Sequence, residues 1–203
     1  PKAETPEDLL RSVVEESHVV IKLTRFTSEQ DPHSTACVLL MQAGRVDWAH
    51  CGDSRIYHFR DDKLVSCSKD HSLVGELIRQ GRLDEEGART HPQRNLLLHC
   101  LGAQKEPLID YGGASELVDG DSFMICSDGL WAYFSDEEIG GVLSVYSARE
   151  AAEIFIKRAR ERGRPTGDNV SLIIIKLVDV EARQKADKER LDAARRKLGK
   201  MTA

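Results

Sequence analysis

Two apolar runs bounded by acidic turns constrain this chain most. Phe123-Met124-Ile125-Cys126 leads directly into Ser127-Asp128-Gly129-Leu130, and Gly167-Asp168-Asn169 leads directly into Val170-Ser171-Leu172-Ile173-Ile174-Ile175. Short apolar segments closed by turn residues read as buried strands. Each turn therefore sets one carboxylate at a strand end, on a rigid element at the rim of a sheet. Hard divalent cations are held by oxygen ligands in near-octahedral geometry, so a metal site is the first functional expectation. Asp-Gly and Asp-Asn are also ordinary turn dipeptides, because Gly tolerates positive φ and Asp bonds its own backbone. Either turn alone leaves both readings open.

The remaining elements follow from spacing and punctuation. Thr5, Pro6, Glu7 and Asp8 read as an N-cap, a first helical proline and an acidic first turn. Leu9, Leu10, Val13, Val14 and Ile21 then continue an amphipathic helix to about Arg25. After Gln30-Asp31-Pro32-His33 come four strand-like segments, Ala36 to Met41, Val46 to Cys51, Ile56 to Arg60 and Leu64 to Cys67. The hairpin-length connections Gln42-Ala43-Gly44-Arg45 and Asp61-Asp62-Lys63 predict an antiparallel meander. Ser72 to Gly81 has helical spacing with a terminal Gly, Asp84-Glu85-Glu86 starts a second short helix, and His91-Pro92-Gln93-Arg94-Asn95 follows. This insertion is either plain connecting structure or substrate-contacting surface carried by the scaffold. A strand over 122–127, helices over 136–144 and 148–162 and a last strand over 170–177 complete the expected core.

Composition narrows the class. The 203 residues are 40% hydrophobic, enough for one sizeable core, and the net charge of −5 argues against a partner that must be neutralised over a broad phosphate face. Cys37, Cys51, Cys67, Cys100 and Cys126 form no C-x-x-C pair and sit in or beside apolar runs, as reduced thiols of a cytoplasmic protein do. No apolar run approaches the roughly 18 residues that span a bilayer, and no signal peptide opens the chain. Domain boundaries are expected at 1–178 for the core and 179–203 for a charged tail, in which Leu191, Ala194, Leu198 and Met201 form a short seam. A solvated helix or frayed tail is the expectation there.

A third acidic turn, Gly52-Asp53-Ser54-Arg55, lies between strands ending at Cys51 and beginning at Ile56. Taken in order, Trp48-Ala49-His50-Cys51-Gly52-Asp53-Ser54-Arg55-Ile56-Tyr57, Lys69-Asp70-His71-Ser72-Leu73-Val74, His91-Pro92-Gln93-Arg94-Asn95, Cys126-Ser127-Asp128-Gly129-Leu130 and Gly167-Asp168-Asn169-Val170 resemble the metal-dependent serine/threonine phosphatases of type 2C, in their bacterial branch. The resemblance covers roughly Ser34 to Leu177. It implies an α+β fold, a sandwich of two antiparallel β-sheets flanked by α-helices, with two divalent cations, Mn2+ or Mg2+, at one end. Asp128 and Asp168 would ligate the metals, and Asp53 matches a position associated with a third, weaker ion. The segment from about Ser72 to Asn95 would be the flap beside the site, with His71, His91 and Arg94 as flap or substrate-side residues; His50, His71 and His91 are otherwise structural. The implied activity is hydrolysis of phosphoserine and phosphothreonine in proteins by a metal-activated water. No nucleophilic side chain is then needed, in keeping with the lack of a persuasive Cys-His or Ser-His-Asp arrangement.

One departure stands out. The family carries an amino-terminal segment with a phosphate-receiving Arg, a Glu-Asp pair and an Asp-Gly-Met-Gly-Gly type turn whose aspartate bridges both metals, and nothing in Pro1 to Asp31 matches it. The chain opens on Pro1 rather than Met, so a fragment edge is expected, with unpaired sheet edges and little activity in this polypeptide alone. The expected partner is a phosphorylated protein, such as a serine/threonine kinase target; neither nucleic acid nor membrane is expected, and the expected state is a monomer. The competing expectation is a catalytically inactive phosphatase-like module that regulates or binds.

Overall fold

Turn chemistry places the hairpins. The computed structural model describes residues 5–27, 30–165 and 167–178; the 179–203 tail expected from sequence lies outside the described residues. Strands β1 (Ala36–Gln42) and β2 (Arg45–Cys51) join through a two-residue loop in which Gly44 takes φ +72, and β3 (Arg55–Arg60) and β4 (Lys63–Cys67) join through one in which Asp61 takes φ +54. Positive φ in a two-residue loop matches the right-handed twist of the flanking strands.

The four strands do not form one meander. β1 and β2 belong to a sheet of order β1-β2-β5, whose third strand is β5 (Asp110–Ser115), while β3 and β4 belong to a sheet of order β4-β3-β6-β7 with β6 (Asp121–Cys126) and β7 (Leu172–Lys176). All neighbouring strands are antiparallel. The chain changes sheets across residues 52–54, and the reason is local. Gly52 has φ +110, and a Cβ there would stand 2.4 Å from the Thr35 side chain. Its carbonyl accepts from the His71 amide at 2.8 Å. A backbone bent in this way turns away from the ladder.

Strand β5 escapes a sequence reading because Asp110-Tyr111-Gly112-Gly113-Ala114-Ser115 has low strand propensity. Its place is fixed by its neighbour. Trp48 is opposite Gly112 in the register, and a Cβ on Gly112 would lie 2.4 Å from Trp48 Nε1, so the glycine makes room for the indole.

Helices cover the outer faces. α1 (Pro6–Thr24) starts with a capping box between Thr5 and Asp8 and buries Leu10 and Val14 against Ala49 and Cys51 of β2. Helices α2 (Leu73–Arg79) and α3 (Glu85–Thr90) form the insertion, capped by Ser72 and Asp84. On the other sheet, α4 (Asp128–Trp131), α5 (Asp136–Val145) and α6 (Ala148–Arg162) enclose Tyr57, Phe59, Met124, Leu143 and Phe155. Alternation along the strands turns Val46, Ile56 and Phe123, all buried, to the faces between the sheets. No helix among the described residues is long and apolar enough to cross a membrane. All five cysteines are free thiols.

The end of β6 away from Asp128 is anchored by a buried carboxylate. Asp121 accepts from His58 Nε2 at 3.1 Å, from Arg60 Nε at 2.8 Å and from the Val118 amide at 2.8 Å. Burial pushes its carboxyl up, but the bonds from Arg60, Val118 and His58 outweigh it and bring it down to about 2. A depressed folded value stabilises the protein above the unfolded value of about 3.9, and that contribution is lost as pH falls from about 4 to about 2. Asp121→Asn is therefore expected to cost about 2–3 kcal/mol at pH 7, in urea denaturation. The gap between the two proteins should narrow toward pH 2, and a gap independent of pH would contradict the assignment.

Candidate functional site

Three separate pieces of chain meet at one end of the sheets. Asp128 follows β6, Asp168 precedes β7 and Asp53 sits at the crossover after β2. Strands β6 and β7 pair directly, and the pairing continues past them: the Ser127 amide donates to the Ser171 carbonyl at 3.0 Å, and the Ser171 amide donates to Ser127 Oγ at 3.1 Å. This brings Gly129 against the Asp168-Asn169 turn so closely that a Cβ on Gly129 would lie 2.1 Å from the Asn169 carbonyl oxygen. Each aspartate also ties its own turn, Asp128 Oδ1 accepting from the Gly129 amide at 2.9 Å and Asp168 Oδ1 from the Asn169 amide at 2.7 Å.

Asp53 is drawn to the same place by a different device. Trp131, at the end of α4, donates its indole N–H to the Asp53 carbonyl at 2.9 Å. The Arg55 guanidinium lies 3.7 Å over the Trp131 ring and grips Asp70 with two bonds of 2.9 Å. Arg79 of α2 donates to the Asp70 carbonyl at 2.9 Å, which fastens the helical insertion to this corner.

The electrostatics are those of a site short of positive charge. Burial, then the neighbouring Asp128 and Asp70, push the Asp53 carboxyl up to about 6. Burial, then Asp168, push Asp128 upward too. Arg55, which partly offsets the charge on Asp53, is already committed to Asp70. Two half-buried carboxylates, Asp53 and Asp128, with the exposed Asp168 beside them are a donor set that hard divalent cations satisfy. Among the described residues the three carboxylates do not all approach within 4.8 Å of one another. An open cluster of this kind suits ions that keep part of their water shell.

The other residues singled out from sequence lie elsewhere around this corner. His71 is 3% exposed, behind the crossover turn; Nδ1 accepts from the Gly52 amide at 3.3 Å and Nε2 donates to Asp110 Oδ2 at 3.1 Å. His91 is half-buried and accepts from the Gln93 amide, and Arg94 is exposed. Among the described residues, no hydrogen bond or ion pair joins His91 or Arg94 to the three acidic turns. Trp131, Arg55 and Asp70 were not predicted as site residues, although Arg55 and Asp70 stand within the motifs. Nothing in spacing shows that 15 residues of chain fold back to pair them.

No family model matches the chain. It is 33% identical over 177 residues to the serine/threonine phosphatase stp of Listeria welshimeri, covering 85% of this chain and 69% of that protein. It is 36% identical over 149 residues to the serine/threonine protein phosphatase PstP of Mycobacterium tuberculosis, covering 73% of this chain but spanning only 28% of that protein's length. Among solved structures, the serine/threonine phosphatase of S. agalactiae superposes with a TM-score of 0.76 at 28% identity, covering 88% of this chain and 73% of that one. The catalytic domain of PstP in complex with two manganese ions superposes with a TM-score of 0.71 at 29% identity, covering 88% of this chain and 74% of that one. The solved structures share the two antiparallel sheets with flanking helices described above, and the chain belongs to the type 2C family of serine/threonine protein phosphatases.

Proposed function

We propose that the three acidic turns are the metal centre of a protein phosphatase that hydrolyses phosphoserine and phosphothreonine in protein substrates, among them targets of a serine/threonine kinase. The observation that carries this reading is the contact of the Asp128 and Asp168 turns, held by the Ser127–Ser171 bonds with Asp53 tethered beside them by Trp131. Asp128, Asp168 and Asp53 would hold Mn2+ or Mg2+, two ions and a weaker third. Such ions, when bound, neutralise a phosphoryl dianion and lower the pKa of water toward neutrality. The chain's own contribution is to bring like charges together against burial and mutual repulsion, so that a bound cation is what relieves them. Gly129 lets the two backbones approach, and Arg55 with Trp131 fixes the Asp53 turn. The flap from about Ser72 to Asn95, joined to the site through Arg79 and Asp70, offers His91 and Arg94 as substrate-side groups. The working unit is a cytoplasmic monomer.

A second reading is a phosphatase-like regulatory or binding module without catalysis, which works by contacts through its flap. The two are separated by assaying phosphate release from a phosphothreonine peptide, with manganese and with a chelator. Two proteins are compared, this chain and the chain extended upstream to include the family's amino-terminal motifs. Metal-dependent release by the extended protein, with little by the 203-residue chain, is the expected result. An extended protein that releases no phosphate with manganese would overturn the phosphatase reading.

A further inference from the structure

Behind the Asp53 turn lies a second group of ligating side chains that the acidic turns do not use. His50 on β2 and Asp110 on β5 face each other across the ladder, and His71 stands in the loop that bonds Gly52. One ligating atom from each of His50, His71 and Asp110 lies within 4.8 Å of the other two. His50 is 0% exposed, and among the described residues neither of its ring nitrogens has a well-formed hydrogen bond, the Ser54 backbone standing near it in poorer geometry. Leaving a buried polar nitrogen unmet is unfavourable, and native structures usually meet such groups with a partner. The His50 ring stands 4.7 Å from that of His71, and the Asp110 side chain is 48% exposed, so the group opens to solvent on one side.

The geometry points to a binding site for a borderline transition-metal cation, zinc foremost, formed by His50, His71 and Asp110. Two imidazoles and a carboxylate with an open fourth position form a donor set that zinc accepts. Imidazole favours zinc, copper or nickel, whereas the all-carboxylate turns suit manganese and magnesium. The two sites thus differ in the ions they select. Ligands about 2.0–2.1 Å from a tetrahedral ion stand about 3.4 Å apart. The group closes by turning His50, which surrenders no well-formed hydrogen bond, and by shifting the half-exposed Asp110. Burial, then His71 beside it, hold His50 down to about 4, so its ring is neutral near pH 7 and offers a lone pair.

Occupancy also reaches the neighbouring turn. Because the Gly52 amide donates to His71 Nδ1, the ring proton sits on Nε2 and is donated to Asp110. A cation on Nε2 requires the neutral ring to carry its proton on Nδ1 instead. Nδ1–H then faces the Gly52 N–H, donor against donor. Gly52 directly precedes Asp53, so zinc at this site loosens the turn that carries one of the acidic ligands.

The test titrates zinc chloride into the 203-residue chain carrying Asp128→Asn and Asp168→Asn, which removes competition from the acidic turns. One equivalent should bind, the zinc-edge X-ray absorption should show scattering from two imidazole rings, and the Gly52 amide resonance should shift. Asp110→Asn, at a half-exposed position, should weaken binding at least about tenfold with an unchanged melting temperature. His50→Gln should do the same while keeping a polar side chain in place. Absence of zinc binding, an oxygen-only shell, or an affinity unmoved by Asp110→Asn would overturn the site.

Discussion

Asp128→Asn is expected to lower manganese-dependent hydrolysis of a phosphothreonine peptide by about 10²- to 10³-fold in the upstream-extended protein, with no loss of folding stability. The substitution removes one unit of charge from a cation site, and each tenfold in rate corresponds to about 1.4 kcal/mol. It leaves the local bond in place, because an asparagine Oδ1 can still accept from the Gly129 amide. Burial and Asp168 both work against an ionised Asp128, so the neutral side chain relieves the folded state. Activity should fall while the melting temperature holds or rises. A structural aspartate would show the opposite, which is why the two readouts belong together. Asp168→Asn should behave alike, and Asp53→Asn more mildly, its position being that of the weaker ion. Full activity in Asp128→Asn at saturating manganese would remove Asp128 from the centre.

Gly129→Ala should cost about 2–3 kcal/mol of stability and about 10²-fold in activity. The cost is steric and falls on backbone rather than on a flexible side chain. The added Cβ would stand 2.1 Å from the Asn169 carbonyl oxygen and 2.9 Å from its carbonyl carbon, so the Asp168 turn must withdraw by more than an ångström to reach ordinary contact. That withdrawal separates two carboxylates whose approach defines the site. Gly141→Ala in α5 is the control, because nothing among the described residues lies within 4 Å of its Cβ. A helical glycine in open space gains roughly 0.5–1 kcal/mol on replacement by alanine. If both alanines were equally harmless in urea denaturation and in the peptide assay, the β6 and β7 turns would not be in contact.

Much of this arrangement was legible without coordinates. The capped start of α1 was read from Thr5, and the structure adds caps of the same kind at Ser72, Asp84, Ser135 and Ser147, since capping is a contact between residues three apart. The hairpin loops at Gly44 and Asp61 are equally local. Strand β5 was not legible, because a Gly-Gly strand exists only where a tryptophan on the neighbouring strand fills the space. The sheet change after Cys51 was not legible either. Its cause is Thr35, seventeen residues away, together with His71.

The same division holds for the site. Sequence alone determined the kinds of chemistry present, namely aspartates in glycine- and asparagine-bearing turns at strand ends, because turn propensity and strand patterning act within a few residues. Tertiary structure alone decided which of those groups share a corner. It set Trp131 on the Asp53 carbonyl, Arg55 between Asp70 and the indole, and the buried His50 beside His71 and Asp110. Burial and mutual repulsion depend on distances through space, and those exist only after the sheets have paired.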